Sequence, residues 1–173
     1  MPYLMYRIGE PEFREKMAAF DYDWTLVKPN GRRIFPKDIN DWKYLFKNVK
    51  NIIQKLYNNG YMIIIFTNNI KSWKWLQIQN VCTDLDIPII AIIAREKLMY
   101  KPDIGLFEYF IRMNQNKKIN YKKSFYVGDA LGRENNYFNR KDHSACDLEF
   151  GKNIGIKVYP PEYIFDYKNN NST

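Results

Sequence analysis

Histidine occurs once in this 173-residue chain, at position 143, and cysteine only twice, at 82 and 146. Such a chain cannot assemble a histidine cluster, a zinc site of several thiolates or a disulfide framework, so zinc and redox chemistry are set aside. Long apolar runs are missing as well: the longest, 61–66 and 87–94, fall far short of the roughly 20 residues that span a bilayer. The opening stretch, MPYLMYRIGEPEFREKM, has no uninterrupted apolar core and carries acids early, which is not how a secretory signal is built. The expectation is an intracellular protein of nucleus or cytoplasm, not secreted and without a membrane span. Acids are the scarcer charge, 19 Asp and Glu against 27 Lys and Arg, for a net charge of +8. That balance suits a polyanionic partner such as nucleic acid, and it suits a solvated basic surface equally well.

What the chain does have is core material. Hydrophobic residues make up 46% and aromatics 17%, which excludes disordered, collagen-like and low-complexity classes. The length fits one domain over 1–173, with a core at about 17–165 and a frayed polar tail, KNNNST, at 168–173. Continuous apolar or β-branched runs at 17–20, 61–66 and 89–94 read as buried strands, 124–127 as a short strand broken by Gly128-Asp129, and 156–159 as a last strand before Pro160-Pro161. Between them, the 40–59 stretch has Trp42, Leu45, Phe46, Val49, Ile52, Ile53, Leu56 and Tyr57 at helical spacing, ended by Gly60. A second helix is expected over about 71–85, and a third after Asp103, with Ile104, Leu106, Phe107, Phe110 and Ile111 on its apolar face. Apolar strands alternating with amphipathic helices predict an α/β fold, a Rossmann-like, doubly wound and mainly parallel sheet with helices on both faces. Ligands of such sheets lie at the carboxyl ends of the strands.

Those ends carry the chemistry. Asp21-x-Asp23-x-Thr25 follows the first strand directly. One carboxylate there can attack phosphorus when a cation screens it, and a second, two residues on, can handle the leaving-group proton; an Asx turn is the other reading. Thr67-Asn68 ends the next strand, where a hydroxyl and turn N–H groups suit phosphate oxygens and equally suit an ordinary turn. Lys101 precedes Pro102 and offers an amine to a phosphoryl group, or to solvent. Gly128-Asp129 after another strand places an oxygen ligand beside the first acids, a set suited to Mg²⁺. Downstream, DHSACD supplies Asp142, which either completes the cation shell or, like Asp147, caps a helix.

In order, these elements resemble the haloacid dehalogenase-like phosphohydrolases, and more narrowly the 3′-phosphatase domain of polynucleotide kinase/phosphatase. The resemblance runs over about 17–165 and includes FDYDWTL, IIIFTN, LMYKP, VGDALGR, DHSACD and PPEYIF. It implies Asp21 as nucleophile and Mg²⁺ ligand, and Asp23 as general acid and base with its carbonyl on the metal. Thr67, Asn68 and Lys101 would hold the phosphoryl group, Asp129 would bind Mg²⁺, and Asp142 would stand in the shell behind it. The implied reaction removes a 3′-phosphate from a DNA strand end through an aspartyl phosphate, by a monomer acting in DNA end repair beside other end-repair proteins. Trp24 stands where the family has glycine, Tyr100 where arginine is common and His143 where phenylalanine is usual, and the segment after Asn68 is shortened.

The short stretches between Asp23 and the first helix and between Leu85 and Lys101 leave room only for a minimal cap, which suits a polymer end. Arg32, Arg33 and Arg133 are candidates for nucleic-acid contacts, as are Lys28, Lys37, Arg140 and Lys141, with Trp24 as a stacking ring. Trp73 and Trp75, two apart on a helix, read as packing residues first. No G-x-x-x-x-G-K-[ST] occurs, so no 5′-kinase activity is expected. A small-molecule phosphate monoesterase of the same superfamily, and a catalytically silent nucleic-acid-binding module, are the alternatives.

Overall fold

The protein is described here from a computed structural model covering residues 1–166. The tail at 168–173 lies outside the described residues. In chain order the elements are β1 (Tyr3–Ile8), β2 (Met17–Phe20), β3 (Val27–Lys28), β4 (Lys43–Tyr44), α1 (Val49–Asn58), β5 (Met62–Asn68), α2 (Ser72–Leu85), β6 (Ile89–Ala94), α3 (Gly105–Met113), β7 (Phe125–Val127), α4 (Cys146–Ile154), β8 (Lys157–Tyr159) and α5 (Pro161–Phe165). Six strands form one sheet in the order β1-β6-β5-β2-β7-β8. β6, β5, β2, β7 and β8 run parallel, and β1 pairs antiparallel with β6 at the edge. The expected α/β sheet is present; β1, whose residues alternate in no clear register with polar ones, was not anticipated.

The period of two along each strand divides the core into two layers. Ala18, Phe20, Ile63, Ile65, Ala91 and Ile93 face one side, where Val49 and Ile53 of α1, Ile78, Val81 and Leu85 of α2, and Phe165 of α5 cover them. Met17, Ala19, Ile64, Phe66, Ile90 and Ile92 face the other, beneath Leu106 and Phe110 of α3 and Phe150 and Ile154 of α4. Each fully buried Ile or Phe contributes roughly 1.5–3 kcal/mol, so the strands tolerate polar residues only beyond their last apolar position. That is where Asp21, Thr67-Asn68 and Asp129 begin. Gly60, at φ +92 with its N–H on Tyr57 O at 3.0 Å, ends α1 as its sequence position predicts.

The helix expected over 40–59 is only half present. Its first half forms β4, which pairs with β3 in a two-stranded hairpin, and α1 starts at Val49. Two contacts outcompete the helical pattern. Leu45 N–H donates to Leu26 O at 2.9 Å, and the Asp41 carboxylate accepts the backbone N–H groups of Asn30 and Lys37, both at 2.9 Å. The Leu45 donor that a helix would need, and the Asp41 carboxylate that could have capped one, are thereby committed to the hairpin and its loop. Among the described residues no helix is long and apolar enough to cross a membrane.

Candidate active site

β2 lies between β5 and β7, so the residues following these three strands meet at one edge of the sheet. Asp21 leaves β2 with its N–H still on Val127 O at 2.8 Å, which directs its side chain out of the sheet's end. Thr67, 2% exposed, closes β5, and the Asn68 side-chain oxygen accepts the Lys101 N–H at 2.9 Å. Thr25 Oγ1 donates to Asp129 Oδ1 at 3.5 Å, tying the loop after β2 to the end of β7.

The Lys101 amine is the hub. It is 5% exposed and donates to Asp21 Oδ1 at 2.8 Å, Asp147 Oδ1 at 2.8 Å and Phe66 O at 3.0 Å, with the Tyr126 hydroxyl at 2.7 Å. Burial works against its charge, but Asp147 and Asp21 outweigh that and hold the amine well above the ordinary lysine range. Asp147 in turn accepts from Tyr126 Oη at 2.8 Å and from Ala130 N at 3.1 Å. The first turn of α4 therefore carries a carboxylate into the site.

Three carboxylates, those of Asp21, Asp129 and Asp147, place ligand oxygens within 4.8 Å of one another. One buried ammonium cannot neutralise three such groups. Burial and then the Asp21 and Asp147 charges push the Asp129 carboxyl well above the usual carboxylate range, and burial followed by Asp21 raises Asp147. An all-oxygen donor set short of positive charge is what a hard divalent cation such as Mg²⁺ fits.

The other expected site residues fall differently. Asp142 does not join this group: its oxygens accept from Arg133 Nε at 2.8 Å, Arg133 N at 3.0 Å, Leu131 N at 3.2 Å and Asn136 Nδ2 at 3.1 Å. Burial opposes its ionisation, but Arg133 and Asn136 outweigh it and hold the carboxyl below its ordinary range. Asp142 anchors the loop that follows Asp129, and it lines the cleft beside the three carboxylates without belonging to their group. Arg133 pairs with Asp142 and with Glu162, 2.5 Å away, and is not among the residues that line the cleft over the three carboxylates. Asp23 bonds to the amine of Lys74, a lysine 4% exposed that also donates to Gln77 Oε1 at 3.2 Å.

A cleft of about 510 Å³ opens over these groups, lined by Asp21, Asp23, Thr67, Lys101, Asp129 and Asp147 at its floor. Its mouth holds Trp24, Phe35, Trp73, Lys71, Arg140 and Lys141, whereas Arg32 and Arg33 are exposed and line none of it. Trp24 sits at φ +56, its Nε1–H on Ile34 O at 2.9 Å, with Arg140 4.0 Å above its ring. One face of that indole carries Arg140, and Trp24 lines the cleft. Asp147 and Lys74 are the residues sequence reasoning passed over. Both had a signal: each lies on the apolar stripe of its helix, Asp147 with Phe150 and Ile154, Lys74 with Ile78 and Val81.

A family described as polynucleotide kinase 3 phosphatase matches residues 16–165 of this chain. A bifunctional polynucleotide phosphatase/kinase of Schizosaccharomyces pombe is 33% identical over 169 residues, which cover 92% of this chain and 40% of that protein. An uncharacterized 20.8 kDa protein of Autographa californica nuclear polyhedrosis virus is 34% identical over 166 residues, covering 91% of this chain and 89% of that one. Among solved structures, a D,D-heptose 1,7-bisphosphate phosphatase from B. bronchiseptica complexed with magnesium and phosphate shares the fold. Its TM-score is 0.54 at 14% identity, over 83% of this chain and 92% of that one.

Proposed function

This chain belongs to the polynucleotide kinase 3 phosphatase family, and from that premise we propose that it removes 3′-phosphate from DNA strand ends, with Mg²⁺ as cofactor and Asp21 as nucleophile. The observation that carries the reading is the Lys101 amine bonded at 2.8 Å to Asp21, within a group of three convergent carboxylates. A structural ion pair needs one carboxylate; three around one amine leave a deficit that a cation and a phosphate fill together.

Asp21, Asp129 and Asp147, with the Asp23 carbonyl, would hold Mg²⁺, which when bound offsets the repulsion between a carboxylate and a phosphate dianion. Lys101 orients the Asp21 carboxylate through Oδ1 and leaves its other oxygen to form the bond to phosphorus as the bond to the 3′-oxygen breaks. Asp23 gives its proton to that departing oxygen. It then takes a proton from the water that attacks the aspartyl phosphate, which releases phosphate and restores Asp21. Thr67 and Asn68, the last two residues of β5, hold the phosphoryl oxygens. Lys74 fixes the Asp23 side chain against the cleft wall until the leaving oxygen takes its place. The sequence carries no phosphate-binding G-x-x-x-x-G-K-[ST] loop, and no 5′-kinase step belongs to the proposal.

The test is phosphate release from matched DNA oligonucleotides bearing a 3′- or a 5′-phosphate, with Mg²⁺ and with EDTA. Release from the 3′ end alone and only with Mg²⁺ is expected. Equal release from both ends, or release that EDTA leaves untouched, contradicts the reading.

A further inference from the structure

We propose that Arg140, seated on the indole of Trp24 and joined by Lys28, forms a second subsite that grips an internucleotide phosphodiester of the strand whose 3′-phosphate occupies the cleft floor. This rests on the phosphatase reading and makes Arg140 the residue that separates a polynucleotide end from a small phosphate ester.

The subsite is built on rings. The Trp24 indole is fixed by its bond to Ile34 O and by the edge of Phe138, with ring centroids 5.4 Å apart at 75°. The Arg140 guanidinium carbon lies 4.0 Å from the Trp24 centroid and 5.8 Å from that of Phe138, and the Lys28 amine lies 5.5 Å from the Phe138 centroid. A guanidinium held over an aromatic face by cation–π attraction keeps its N–H groups unspent, so its fork remains available to a phosphate.

Among the described residues no carboxylate forms an ion pair with this group. The described ion pairs engage Lys50, Lys74, Lys101, Arg133 and Lys141, and include neither Arg140 nor Lys28. The crowding of like charge shows at Lys28, whose amine is pushed below the usual lysine range by burial, then by Lys43 and Arg140. Two cations outside every described ion pair, Arg140 at the cleft mouth and Lys28 behind it on the same Phe138 ring, are complementary to an anion. Because Arg140 lines the same cleft as Asp21, the anion that meets both is one chain with two phosphates.

The experiment compares kcat/KM for a trinucleotide 3′-phosphate and a nucleoside 3′-monophosphate, using wild type and Arg140→Ala. It also replaces each internucleotide linkage of the trinucleotide in turn by a neutral methylphosphonate. In wild type, one methylphosphonate is expected to lower kcat/KM by about 10- to 100-fold, the worth of a charge-assisted contact. Arg140→Ala should lower the ratio of trinucleotide to mononucleotide kcat/KM by a similar factor, and the two changes together should go little further. Insensitivity to every methylphosphonate, an unchanged ratio, or effects that multiply overturns the subsite. If wild type turns over neither substrate, the phosphatase reading itself fails and takes the subsite with it. The methylphosphonate series needs no variant, so a misfolded Arg140→Ala does not leave the question open.

Discussion

Replacing Lys101 by methionine removes the one ammonium from a site of three carboxylates while keeping the length of the side chain. The Lys101 and Asp147 side chains are 2% and 1% exposed, so water cannot take the amine's place. Asp147 keeps the Tyr126 hydroxyl and the Ala130 N–H, but its charge, with those of Asp21 and Asp129, loses its counterion. Breaking a buried ion pair from one side costs about 3–5 kcal/mol. At about 2–4 °C per kcal/mol for a chain of this size, the melting temperature in EDTA should fall by roughly 6–20 °C. Mg²⁺ should recover a large part of that loss, since a ligand at a hundred times its dissociation constant contributes about 2.7 kcal/mol. The Mg²⁺-induced rise in melting temperature should therefore be larger in Lys101→Met than in wild type, while phosphate release is lost. Thermal melts followed by circular dichroism, with EDTA and with Mg²⁺, read both effects. A variant that melts within about 2 °C of wild type in EDTA, or that no longer responds to Mg²⁺, refutes the electrostatic account of the site.

Asp147→Asn should weaken Mg²⁺ binding and slow phosphate release by about 10- to 100-fold, whereas an Asp142→Asn change should act mainly on stability; metal titration beside thermal melts separates the two. Gly128→Ala introduces a Cβ that would lie 2.5 Å from Asp147 Cγ, so the carboxylate must move. A loss of about 1–3 kcal/mol in denaturant unfolding is expected, together with weaker Mg²⁺ binding, and unaltered binding would mean that Asp147 is not a ligand. The backbone N–H groups of Lys37 and Asn30 hold the Asp41 carboxyl below its usual range. The unfolded chain thus binds more protons than the folded one between the two pKa values, and the hairpin's stabilisation is present above about pH 4 and lost as pH falls through the folded value. Protection factors for amide exchange over residues 30–41 should fall across that window as pH is lowered in wild type, and change less in Asp41→Asn.

The apolar runs that became β2, β5 and β6 were legible because a strand buried on both faces has no polar position to confuse its pattern; β7 and β8 are shorter and less buried, with Lys157 exposed on β8, and were read from brief runs beside Gly128 and Pro160. Asp21, Thr67 and Asp129 needed only the rule that polar groups resume where burial stops, whereas Lys101, well past the end of β6, was found through the Lys-Pro motif before α3. The 40–59 stretch misled because its helical spacing is real, while its backbone donors are claimed by partners far along the chain, Leu26 O above all. Asp142 and Asp147 were equivalent as letters in DHSACD. The choice between them depends on which side of α4 faces the sheet, and Phe150 and Ile154, three and seven residues on, already pointed to Asp147. Lys74 and Gln77 were hidden in the same way, as polar residues on the buried stripe of α2. Among the basic residues, composition could not distinguish Arg133, spent on Asp142 and Glu162, from Arg140, which has a ring beneath it and no acid beside it. Pairing of charges is a property of the fold, and no one-dimensional spacing encodes it.

The most direct test of the account is to quench the enzyme with acid during turnover of a 3′-phosphorylated oligonucleotide and locate the phosphoryl group by peptide mass spectrometry. A phosphoryl adduct on the peptide containing Asp21, formed in Mg²⁺ and absent from Asp21→Asn, is the predicted result. Sustained 3′-phosphate release by Asp21→Asn, or an adduct on any other residue, would contradict it.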